Sequence, residues 1–165
     1  MPEIDYVFKD IKFSVDDIVN IKLLYKLLRN GLNKLQYDFY EKEHLEDIKP
    51  EDIKNLSVKM EAEKKVDDYT KFHIELRLKG KNLKSVIRNE EICVQGTVSI
   101  SFEAFLENDY EGRWDNPFFM KFLRTLYDKY IRSDKYEKNM ASLKEEGYDL
   151  INKTKSFLRV EQFKK

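Results

Sequence analysis

From Ile92 to Leu106 the chain alternates residue by residue between apolar and polar side chains, a pattern no helix can satisfy. Val94, Gly96, Val98, Ile100, Phe102, Ala104 and Leu106 share one face; Gln95, Thr97, Ser99, Ser101 and Glu103 share the other. A strand of this length is unusual, since about five or six residues is typical. It therefore needs a neighbouring strand, a layer to cover its dry face, and a place to bend. Gly96 is the expected bend, because a residue without a side chain tolerates the departure from regular pleating. The same period of two recurs upstream. Leu56, Val58, Met60 and Ala62 form one alternating set and Phe72, Ile74, Leu76 and Leu78 another, with charged residues between them. Gly80 is expected to close that second strand. Leu83 to Ile87 reads as a further short strand, with a turn at Asn89-Glu90-Glu91.

The two ends of the chain read differently. Residues 4–13 predict a first strand, Ile4, Tyr6 and Phe8 alternating with Asp5, Val7 and Lys9. Ile11 and Phe13 fall one step out of phase, which predicts a bulge or bend. Ser14, with Asp17 three positions on, predicts the start of a helix. Ile18, Ile21, Tyr25, Leu28 and Leu32 would share one face of it, widened by Val19, Leu24 and Leu27, and Asn30-Gly31 would end it. Residues 36–43 predict a strand, and 44–53 a charged connection around Pro50. After a loop at 107–116, Asn116-Pro117 predicts a helix start, and Phe118, Phe119, Phe122, Leu123, Leu126, Tyr127 and Tyr130 make that helix heavily apolar. Tyr136, Met140, Leu143, Gly147, Leu150, Thr154 and Phe157 trace a second stripe. One helix spanning both would be about 60 Å long at roughly 1.5 Å per residue, so a kink near Ser133 or a protruding end is expected.

Composition sets the class. The 165 residues are 41% hydrophobic and 38% charged, which suits a single domain over residues 1–165 rather than a disordered or membrane-spanning chain. No apolar run reaches the roughly 18 residues of a membrane span. The one cysteine, Cys93, excludes an internal disulfide, and the start Met1-Pro2-Glu3-Ile4-Asp5 lacks signal-peptide character. Both point to a cytoplasmic location. Basic and acidic side chains balance at 31 each, which disfavours nucleic acid as the main partner. The balance is uneven, however: residues 117–165 carry 12 basic and 7 acidic groups.

The order strand, helix, about five antiparallel strands and a long C-terminal helix resembles the helix-grip fold of the START-like (SRPBCC) superfamily. The run from Gly96 to Trp114 into Pro117-Phe118-Phe119 is similar to archaeal members. The resemblance implies an α+β fold in which a curved antiparallel sheet wraps a long C-terminal helix. It also implies a hydrophobic ligand between the two, or cyclase or hydrolase chemistry there. It supplies no catalytic residue. Two departures stand out: a single helix replaces the usual two short ones after the first strand, and the glycine-rich loop of the pollen-allergen branch is missing.

No catalytic or metal-binding motif is present, and no cofactor is expected. His44 and His73 lack partners at ligand spacing and read as surface residues. Cys93 reads as structural. Glu107, Asp109, Glu111 and Asp115 crowd a loop but do not make a calcium-binding pattern. The candidate ligand-binding set is Arg113, Trp114, Tyr110, Tyr25, Tyr130 and Tyr136 as polar handles and gate, with Phe72, Ile74, Ile100, Phe102, Phe122 and Leu126 as apolar walls. Arg113 would meet an acidic head group. A tightly filled core explains the apolar residues equally well. Three functions remain open: a hydrophobic or amphipathic small-molecule binder, a protein-interaction module or homodimer using the C-terminal helix, and a cyclase or hydrolase.

Overall fold

The structure, a computed structural model, describes residues 3–112, 118–130 and 133–163. The elements run β1 (Glu3–Val19), α1 (Ile21–Lys34), β2 (Asp38–Lys49), β3 (Ile53–Lys65), β4 (Thr70–Arg88), β5 (Glu91–Asn108), α2 (Phe118–Tyr130) and α3 (Ser133–Phe163). The five strands form one antiparallel sheet in the order β1-β5-β4-β3-β2. Strands β2 to β5 follow each other as a meander, and β1 returns to pair with β5. The long alternating segment is therefore an interior strand with a neighbour on each side.

Several boundaries differ from the sequence reading. Ser14 does not cap a helix. The segment Ser14–Val19 continues β1, pairing from Ser14 with Ser99 to Val19 with Val94. The helix begins after Asn20, whose side-chain oxygen accepts the Leu23 amide at 3.0 Å. Long-range pairing with β5 outweighs a local capping pattern that also fits a strand with one polar face. The out-of-phase step at Ile11 and Phe13 is a real irregularity: the register shifts on both sides of Phe8, and Asp10 adopts φ 45°.

Gly31 lies inside α1, not at its end; the left-handed residue that follows the helix is Gln36, at φ 64°. Glycine at 31 serves close approach instead, since a Cβ there would lie 2.9 Å from Leu150 Cδ1 on α3. The stretch 44–49 is strand, not connection; only Pro50–Asp52 turns. β4 runs through Gly80 and bends at the register shift between Lys81 and Lys84, so Leu83 to Ile87 is no separate strand. Gly96 lies opposite that register shift; its φ is 152°, and a Cβ would meet the Asn82 carbonyl oxygen at 2.7 Å.

One face of the sheet is dry. Val58, Met60, Ala62, Ile74, Leu76, Leu78, Val98, Ile100, Phe102 and Ala104 are buried there. Leu24, Leu28 and Leu32 of α1 and Leu143, Leu150, Ile151 and Leu158 of α3 join them in one core. At Gly147 the helix comes so near β1 that a Cβ would sit 2.7 Å from the Phe8 ring. The opposite face carries an ionic ladder, including Lys59 between Glu61 (3.2 Å) and Glu75 (3.5 Å). α2 ends at Tyr130 and α3 begins at Ser133, where the change of stripe predicts a kink. No helix among the described residues is long and apolar enough to cross a membrane.

Candidate functional site

The core on the dry face is completed by side chains of α1 and α3. Phe72, Ile74, Ile100 and Phe102 expose 0–2% of their surface. A void large enough for a ligand would leave its walls open to a water-sized sphere, and these walls are closed. Phe13 stacks on Phe102 at 5.7 Å, and the Phe8 ring packs beneath Gly147. At these residues the space between sheet and helix is filled with side chains. Phe122 and Leu126, expected to face them, are instead exposed on α2, at 59% and 38%.

The expected polar handles engage different neighbours. Tyr25 meets the edge of the Phe39 ring at 5.8 Å. Burial, then a hydrogen bond to Glu41, raises its phenol above the ordinary value. Tyr110 donates to the Asp67 carbonyl at 3.1 Å and lies under Lys71 and Lys65. Tyr136 is raised by burial and then by Asp5, near the start of β1. Tyr130 is exposed on α2. Arg113 and Trp114 lie outside the described residues. The stripe from Met140 to Phe157 faces the core, with Met140 and Phe157 only partly buried.

A polar node that sequence reasoning missed joins the end of the sheet to α3. Tyr37, just before β2, is buried and donates to Glu146 Oε2 at 2.6 Å. Lys64, the last inner-face residue of β3, donates to Glu146 Oε1 at 2.6 Å. The lysine also lies over the rings of Tyr37 (5.2 Å) and Phe72 (5.7 Å). Burial, then Glu146, pushes the Tyr37 phenol far above its ordinary value, so it stays protonated and remains a donor. Both carboxylate oxygens are occupied by partners from the sheet side. That arrangement locks the helix to the sheet, and it leaves Glu146 poorly placed to act as a base.

Among the described residues, a concave and largely apolar surface lies elsewhere. Between α1 and α3 runs an open groove of about 470 Å³, lined by Leu27, Asn152, Lys153, Ser156 and Phe157. Gly31 lets α1 approach Leu150 of α3 closely. Leu27 and Phe157 had appeared only as stripe residues; Asn152, Lys153 and Ser156 carried no signal a single sequence displays.

On the outer face, His73 pairs with Glu107 at 2.7 Å and stacks on Phe105 at 4.7 Å, on the wet side as its alternation predicts. His44 is exposed beside Glu41. No group of three histidine, cysteine or acidic residues suited to a metal exists among the described residues. Cys93 is buried and not disulfide-bonded. No family model matches the chain, and no curated protein matches its sequence.

Proposed function

We propose that this chain is a single helix-grip domain that binds an amphipathic small molecule in the groove between α1 and α3. The fold reading rests on the strand order, with the first strand beside the last. It also rests on α1 falling between β1 and β2, and on a long final helix sharing the face of α1. The functional reading rests on one observation, the apolar groove of about 470 Å³. Leu27 and Phe157 would hold the tail, while Asn152, Ser156 and Lys153 offer donors at the rim. The buried cysteine fits a cytoplasmic setting.

The test is native mass spectrometry of freshly purified protein, followed by titration of isotope-labelled protein with ten-carbon amphipaths. A co-purifying small mass and amide shifts centred on Leu27 and Phe157 are expected. Ser156→Trp fills the groove from an exposed position and should weaken binding at least tenfold. Shifts centred elsewhere, or binding indifferent to that substitution, refute the reading.

A second reading follows from α2. Phe122, Leu126 and Tyr130 recur every four residues and are all exposed, the spacing of a helix that docks its apolar face on a partner, including a second copy. If so, Phe122→Asp with Tyr130→Asp should abolish any concentration-dependent rise in mass on sedimentation and change stability by less than about 0.5 kcal/mol. An unchanged mass distribution would remove this reading.

A further inference from the structure

We propose that the ligand of the α1–α3 groove is anionic: a single-chain amphipath with a carboxylate or similar head group. This rests on the groove being the binding site. The observation behind it is the charge of the two helices that form the walls. α1 carries Lys22, Lys26, Arg29 and Lys34 and no acidic residue between Ile21 and Lys34. The stretch of α3 from Leu150 to Val160 carries Lys153, Lys155 and Arg159 and again no acidic residue. All seven are exposed. The chain as a whole is neutral, so these two helical stretches are locally basic.

Placement sharpens the point. Lys153 lines the groove itself, and Lys26 stands one position before Leu27 on the solvent side of α1. Asp149, one turn before Lys153, is ion-paired with it. Lys155 turns away and lies 5.5 Å from the centre of the Phe13 ring. A local excess of positive charge raises the local concentration of anions. Lysine suits an amphipath because its methylene stem covers apolar surface while the ammonium stays in water.

Two other anionic partners fit less well. A bilayer-binding face presents protruding aromatic or aliphatic side chains. Among the described side chains, the exposed large hydrophobic residues lie on β1, β2, β4, β5, α2 and at Tyr136 and Tyr148, and none comes from α1 or from the stretch 150–159. A nucleic-acid backbone would use the positive charge but has no use for an apolar floor between the charges.

The test compares three ten-carbon probes: decanoate, decanol and decyltrimethylammonium, each titrated calorimetrically into the full chain. Decanoate should bind at least tenfold tighter than decanol, and the cation weakest. The preference should shrink as salt is raised and fall several-fold in Lys26→Gln/Lys153→Gln, whose exposed positions leave folding intact. Equal binding of decanoate and decanol would overturn the anionic assignment and leave the groove standing. Failure of all three would remove the groove reading itself. Binding to anionic vesicles without binding to monomeric decanoate would replace the free ligand by a membrane surface. Tight RNA binding that decanoate does not displace would also overturn the proposal.

Discussion

Replacing Phe102 by alanine tests whether the sheet–helix space is filled. Phe102 is 1% exposed, paired across strands with Leu76 and Ile11, and stacked on Phe13 with an interplanar angle of 18°. Removing a buried phenylalanine side chain forfeits roughly 1.5–3 kcal/mol of transfer free energy. In a close-packed site the void left behind adds to this, bringing the total to about 3–5 kcal/mol, part of it the lost ring stacking of about 0.5–1.5 kcal/mol. If a ligand-sized cavity already adjoined the ring, the added void would cost little and only the transfer part would remain. Urea unfolding separates the two cases. With a slope of about 2 kcal/mol per molar, the midpoint should fall by about 2 M at unchanged slope. A loss under about 2 kcal/mol with the slope preserved would refute the claim that this interior is solid, and would return the ligand to the space beneath α3.

Two glycines should respond differently to alanine. Gly96→Ala places a Cβ at φ 152° and 2.7 Å from a backbone oxygen, and should cost at least about 1–3 kcal/mol in denaturant unfolding. Gly31→Ala meets only the end of the Leu150 side chain, at 2.9 Å. The gain of about 0.5–1 kcal/mol from removing a mid-helix glycine should leave it within about 1 kcal/mol of the parent. Tyr37→Phe should alter the alkaline limb of stability. The phenol is raised in the folded chain, so its contribution is complete below the unfolded value near 10. As pH climbs above that value the unfolded chain sheds the proton first, and stability falls by up to about 1.4 kcal/mol per pH unit. The variant should lack that component between about pH 9 and 11; identical slopes for parent and variant would show that Tyr37 is not held protonated.

What the sequence displays depends on how many neighbours an element has. β5 is legible almost to the residue, because two strands and a helical layer impose the same alternation along its length. β2 is not. As an edge strand it exposes nearly every side chain, so Glu43, Glu46 and Asp47 face no penalty and the period dissolves into charge. Ser14 and Asp17 mimic a helix start because the polar face of a strand and a capping pair use the same residues; only Ser99 and Gly96, far along the chain, decide between them. The stripe of α3 was readable, but its partner surface was not, since one stripe fits against a sheet, a helix or a second molecule. The groove needs Leu27 and Phe157 from opposite ends of the chain, and periodicity in one segment carries no information about the other.

Gly147 and Gly31 act as the two spacers that set the height of α3 above its bed. One lets the helix rest on the Phe8 ring, and the other lets α1 rest on Leu150. A methyl group at Gly147 would press on the Phe8 ring and wedge the helix off the sheet, whereas one at Gly31 would meet only the tip of Leu150, so a larger side chain would be needed there to part the helices. The same backbone could thus be tuned between a closed interior and a hollow one by changes at positions that touch no ligand. Diversification of pocket size in such a scaffold would start at those two contacts, before any wall residue changed.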